Sequence, residues 1–126
     1  MSMQILSEQK SSEKNANFII IFTTTPTPED AEKIGSELVN LKLAACVSII
    51  NNVKSFYRWE GKVEKATENI LLVKTRKELF DKVANQVRRL HPYELPEIIA
   101  VQIVTGSEQY LRWLGESAFP VEEEQK

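Results

Sequence analysis

The chain of 126 residues has one cysteine, one histidine and four glycines. A single cysteine, Cys46, excludes an intrachain disulfide and any cysteine-cluster zinc site within one chain. With so few glycines there is no glycine-rich phosphate loop, and neither a metalloprotease helix nor a nucleophile elbow occurs. No apolar run approaches the length of a membrane span. Charge of one sign is also missing: 16 Lys and Arg against 18 Asp and Glu give a net charge of -2, so nothing attracts phosphate backbones in general. These absences predict a chain with no membrane partner, no nucleic-acid partner and no catalytic role. A cytoplasmic location is the default expectation.

What remains is enough for one domain with a single core. Residues 1–16 are polar, with Ile5 and Leu6 as the one aliphatic pair, and are expected to form a disordered polar tail without the apolar centre of a secretory signal. Residues 120–126 read as an acidic tail. The domain is expected to span 17–119.

Within it the elements are well marked. Phe18 to Thr25 is continuously apolar and then β-branched, as a central strand buried on both faces would be. Thr27, Pro28, Glu29 and Asp30 combine an N-cap hydroxyl, a first-turn proline and acids, and Ala31, Ile34, Leu38 and Leu41 give the helix that follows an apolar stripe. Leu43 to Ile50 reads as a strand, Asn51-Asn52 as a bulge-like interruption, and Val53 to Trp59 as its aromatic-rich continuation. A turn at Glu60-Gly61-Lys62 returns Val63 to Lys74 as the partner strand. Thr75-Arg76-Lys77-Glu78 has the capping-box pattern, so Thr75→Ala is expected to cost about 1 kcal/mol, and Leu79, Phe80, Val83, Ala84, Val87 and Leu90 form a second helical stripe. Glu97 to Thr105 is the fourth strand. Ser107 caps a short helix carrying Tyr110, Leu111, Trp113 and Leu114. The order β-α-β-β-α-β predicts an α+β, ferredoxin-like split βαβ sandwich with a long central hairpin and an extra C-terminal helix.

The hairpin also predicts an oligomer. Leu43 to Trp59 would extend to about 56 Å at ~3.3 Å per residue. A compact domain of about 100 residues has a radius of gyration of only about 13 Å. Half of the hairpin, with Phe56, Tyr57 and Trp59, therefore has no sheet of its own chain to join, and a second subunit can cover it.

Chemistry concentrates in Arg89-Leu90-His91-Pro92-Tyr93-Glu94-Leu95-Pro96-Glu97, which holds the only histidine, two prolines, a tyrosine and carboxylates. Pro92 and Pro96 stiffen it. His91 reads either as a capping and packing residue or as a ligand, and Glu94 and Glu97 either as solvated acids or as an acid–base pair. Cys46, in Leu43-Ala44-Ala45-Cys46-Val47, reads as a core thiol, with the nucleophile as the alternative. Lys74, Arg76, Lys77, Lys82, Arg88 and Arg89 are a local basic excess, read as a solvated face or, as the alternative, a landing place for an anionic ligand or nucleic acid.

Several of these segments together resemble the CutA family of divalent-ion tolerance proteins, from about Phe18 to Trp113. The matching segments are Leu43-Ala44-Ala45-Cys46-Val47, Tyr57-Arg58-Trp59-Glu60-Gly61-Lys62, Lys74-Thr75, His91-Pro92-Tyr93 with Pro96-Glu97-Ile98, and Tyr110-Leu111-Arg112-Trp113. The resemblance implies a homotrimer of ferredoxin-like subunits and a link to copper or another divalent cation, with no obligatory cofactor. Where metal ligation is proposed in the family, the aligned positions here hold Thr23, Leu90 and His91, which leaves His91 as the metal-ligand candidate. It further implies clefts between subunits lined by Tyr57, Trp59, Lys74, Tyr93 and Glu97. Three function classes follow: a weakly metal-binding tolerance protein, a trimer that senses a small anion or metabolite, and an enzyme using Cys46 or His91.

Overall fold

A computed structural model describes residues 17–121 of the chain. The expectations for residues 1–16 and 122–126 lie outside the described residues. Strand β1 runs over Phe18–Thr25, helix α1 over Pro28–Asn40, β2 over Cys46–Trp59, β3 over Lys62–Arg76, α2 over Phe80–Leu90, β4 over Ile99–Gln102 and α3 over Glu108–Ser117. The sheet order is β2-β3-β1-β4 and every pairing is antiparallel. This is the ferredoxin-like split βαβ arrangement, with β1 central as its apolar run predicts.

One sheet face is covered by helices. Ile19, Ile21, Thr23 and Thr25 of β1 alternate onto it beside Leu71, Val73 and Thr75 of β3, and all are buried. Helix α1 lays Ala31, Ile34, Gly35 and Leu38 on this layer, and α2 adds Val83, Ala84 and Val87. Gly35 is where α1 crosses closest, because a Cβ there would stand 3.1 Å from Val47 Cγ1. Leu111 and Leu114 join the same core from α3.

The opposite face has no helix layer. Ile20 and Phe22 pair with Val101 and Ile99 on one side and with Lys74 and Leu72 on the other, and Cys46, Ser48 and Ile50 continue the face on β2. Ile50, Ile99 and Val101 are exposed. Burial of β1 on both faces is therefore incomplete within one subunit. Cys46 belongs to this open face and is only half-buried, which corrects its reading as a core thiol. Strand parity is the reason: Val47 and Ile49, not Cys46, turn toward the helices.

The hairpin is as long as expected, with 14 residues in β2 and 15 in β3 against 8 in β1. The last pair that β1 makes with β3 is Thr25 with Asn69, so Lys62 to Glu68 have only β2 beside them. The two-stranded ribbon overhangs and carries Phe56, Tyr57, Trp59 and Val63 exposed.

Local details differ from the sequence reading in four places. Thr75 does not cap a helix: it is a fully buried residue of β3 whose hydroxyl donates to the Leu43 carbonyl at 2.6 Å. A 3-10 turn at Lys77–Leu79, with no side-chain cap, leads into α2 instead. Residues 43–45 are a tight connection rather than strand, closed by Leu43 and Ala44 N–H groups on the Leu38 carbonyl and by Lys42 in the left-handed region at φ 61°. Lys42 does there what glycine commonly does after a helix, and Leu41, last of the predicted stripe, is exposed. Strand β4 shrinks to 4 residues: these pair with β1, Ile103 adds one bond from its N–H to the Phe18 carbonyl, and the chain then leaves the sheet. The Thr27 and Ser107 caps form as predicted, accepting from the N–H groups of Asp30 and Tyr110.

Candidate functional site

The proline-rich segment lies against the C-terminal end of β1, and its histidine is the fastener. His91 ends α2 by donating its own N–H to the Val87 carbonyl. Its ring is buried, with Nε2 2.6 Å from the Thr24 carbonyl oxygen. A carbonyl can only accept, so Nε2 carries the proton, and Nδ1 is left to accept from the Tyr93 N–H at 3.0 Å. Both ring nitrogens are engaged. The capping and packing alternative thus describes the geometry of His91, and a metal ion at Nδ1 would have to displace the Tyr93 amide.

Tyr93 turns its ring beside the imidazole, with centroids 5.0 Å apart. Its phenol is pushed above its ordinary value of 10.0 by burial first, then by the negative charge of Glu68, Tyr57 and Asp30. These charges lie on the overhanging ribbon and at the start of α1, while Tyr93 itself lies in the α2–β4 connection. Tyr57 and Tyr93, predicted as neighbours in a cleft, share this electrostatic environment within one subunit. Glu68 and Asp30 belong to it as well, and sequence reasoning missed both because neither stands in a recognisable motif.

Lys74 and Trp59 do not join them. Lys74 sits half-buried on the open sheet face, donating to Ser48 Oγ at 3.4 Å with Cys46 Sγ at 3.8 Å. Trp59 pairs with Lys62 at the ribbon tip, which at ~3.3 Å per residue along β3 lies about 40 Å from Lys74. Glu97 is exposed in the connection before β4. The five cleft residues can therefore converge only when a second copy of the chain brings its ribbon alongside. The basic residues do not converge either: Arg88 and Arg89 bond to Asn85 and Gln86 on their own helix, while Arg76 donates to the Gly115 carbonyl and pairs with Glu78.

A resident metal fits poorly in one subunit. Thr23 is fully buried with an unpartnered hydroxyl, Leu90 offers no donor atom, and His91 has no free ring nitrogen. Among the described residues no group of three or more His, Cys, Asp or Glu side chains could hold an ion. A groove of about 630 Å³ between α3 and the ends of β1 and β3, lined by Phe18, Arg76, Leu111 and Phe119, contains none of the predicted site residues.

Comparison with known proteins agrees with this architecture. The family described as CutA1 divalent ion tolerance protein matches residues 19–117. The chain is 41% identical over 106 residues to the Arabidopsis thaliana protein named Protein CutA, chloroplastic, covering 84% of this chain but 58% of that one. The structure of the Thermus thermophilus divalent cation tolerance protein superposes with a TM-score of 0.78 at 43% identity, covering 79% of this chain and 97% of the other. For the Archaeoglobus fulgidus protein, described as a periplasmic divalent cation tolerance protein, the figures are 0.79, 43%, 81% and 99%. These names correct the cytoplasmic expectation, since relatives called chloroplastic and periplasmic point away from a purely cytoplasmic location. With the fold, the matched span and the identities in agreement, the chain belongs to the CutA1 divalent ion tolerance protein family.

Proposed function

We propose that the protein works as a non-enzymatic homotrimer in divalent-ion tolerance, engaging copper or another divalent cation weakly at positions completed between subunits. The observation that carries this reading is the overhanging ribbon. It takes Tyr57 and Trp59 far from Lys74, and it leaves an open apolar sheet face and exposed aromatics that a soluble monomer would not keep. The second free edge is β4, whose four residues are all exposed, so each subunit offers both a ribbon and an edge to receive one. The number three rests on the family resemblance. Weak binding follows from the donor set: one imidazole per subunit, already hydrogen-bonded on both sides, competes poorly for a soft or borderline ion. Sedimentation equilibrium at micromolar concentration should give three times the 14.4 kDa chain mass. Calorimetric titration with copper and zinc should show modest affinity that His91→Ala largely removes, and unchanged copper binding in that variant would place the ligands elsewhere.

A second reading is a trimer that holds a small anion or metabolite in the same clefts. Lys74 favours it: no carboxylate of the described residues lies within ion-pair distance of its ammonium, which leaves a cation on the face where a neighbour would sit. Titration of the assembled protein with a panel of small anions separates the two readings, because Lys74→Met should abolish anion binding and leave copper binding intact.

A further inference from the structure

We infer that Asn69 is a positioning residue that sets the direction of the overhanging ribbon and, through it, the fit between subunits. The inference rests on the assembly reading above. The register of β2 and β3 runs without a break to Ile50 with Ile70 and resumes at Val53 with Glu68. Two residues, Asn51 and Asn52, thus stand opposite one, Asn69, which defines a bulge. Asn52 takes a left-handed backbone at φ 64°, a conformation that short polar side chains tolerate and β-branched ones resist.

The place of the bulge matters more than its type. Asn69 is also the partner of Thr25, the last residue of β1, so the bulge lies where the sheet narrows to a two-stranded ribbon. The Asn69 side chain is buried and closes both sides of this junction: Oδ1 accepts the Asn52 N–H at 3.4 Å and Nδ2 donates to the Thr25 carbonyl at 3.3 Å. One amide therefore ties the bend in β2 to the end of β1. From Val53 to Trp59 the ribbon extends about 23 Å, so a change of only about 10° at the bulge moves its tip by about 4 Å, more than side-chain packing at an interface can absorb. Beyond the ladder pairing of Asn69 with Thr25, no other side-chain hydrogen bond among the described residues fastens the bulge to β1.

The test compares Asn69→Ala, Asn52→Val and Asn52→Gly with the parent chain by sedimentation equilibrium over a concentration series, with urea denaturation in parallel. Asn52 is solvent-exposed, so Asn52→Val disturbs the bulge without opening the core and remains informative should Asn69→Ala fail to fold. Thr75→Val serves as the structural control, since it breaks a buried hydrogen bond on the same strand away from the bulge. The expected result is that Asn69→Ala and Asn52→Val each raise the dissociation concentration at least about tenfold, while Asn52→Gly and Thr75→Val leave it within about twofold. A dissociation concentration unchanged in Asn52→Val, or raised equally by Thr75→Val, would overturn the positioning role while leaving the trimer standing. A parent chain that is monomeric at every concentration would overturn the assembly reading itself and this inference with it.

Discussion

Thr75→Val is the sharpest test of how this fold is held together, because two mechanisms for Thr75 predict different things. As a helix cap it would matter to α2 alone. In the structure its hydroxyl is fully buried and donates at 2.6 Å to the carbonyl of Leu43, in the tight connection that delivers β2 to the sheet edge. Valine fills nearly the same volume, so no cavity opens, but the Leu43 carbonyl loses its donor inside the core. Leaving a buried acceptor unpaired costs about 1–3 kcal/mol. Thr75→Ala should cost more, since a missing methyl group adds packing loss of about 0.5–1.5 kcal/mol. Urea denaturation must be run at one protein concentration, because the proposed assembly would make the midpoint concentration-dependent. With a slope of about 2 kcal/mol per molar, a loss of 2 kcal/mol lowers the midpoint by about 1 M. Amide exchange should quicken at Leu43 and Ala44, which both bond to the Leu38 carbonyl. A Thr75→Val loss below about 0.5 kcal/mol, or faster exchange confined to α2, would refute the tertiary hydrogen bond as the reason for this residue.

Three further outcomes follow from the geometry. The Tyr93 phenol, held above its ordinary value of 10.0, should appear in a spectrophotometric titration as a late component missing from Tyr93→Phe; a normal or early component would refute its placement beside Glu68. The sign follows, because a group whose folded value is raised contributes its stability fully below pH 10 and loses it as pH rises through the folded value, so the parent should lose stability in that alkaline window more steeply than Tyr93→Phe. Cys46 lies on the open sheet face, so its labelling by a maleimide should be slow in the micromolar assembly and fast after dilution to nanomolar subunit; a rate independent of concentration would show that no neighbour covers that face. His91→Ala removes the donor to the Thr24 carbonyl and the acceptor for the Tyr93 N–H together and should lower stability by about 2 kcal/mol even without metal, whereas an unaffected midpoint would sink the fastening role.

The sequence by itself determined what depends on local pattern. The apolar run of β1, the Thr27 and Ser107 caps, the stripes of α1 and α2 and the order of elements need only periodicity and neighbouring residues, and they led to the correct fold. Hairpin length was legible too, because residues per strand convert directly to reach. Tertiary structure decided everything that turns on which face a residue takes and who stands opposite. Thr75 carries a capping pattern, yet the β3 ladder claims it, since a buried strand hydrogen bond outweighs a cap that a 3-10 turn can replace. Cys46 follows strand parity onto the open face despite its apolar neighbours. His91 spends both ring nitrogens on backbone partners 67 and 2 residues away, which no spacing in the chain announces. Asn69 stands in no motif at all, and its importance appears only when β1 ends beside it and two residues of β2 share its place in the ladder.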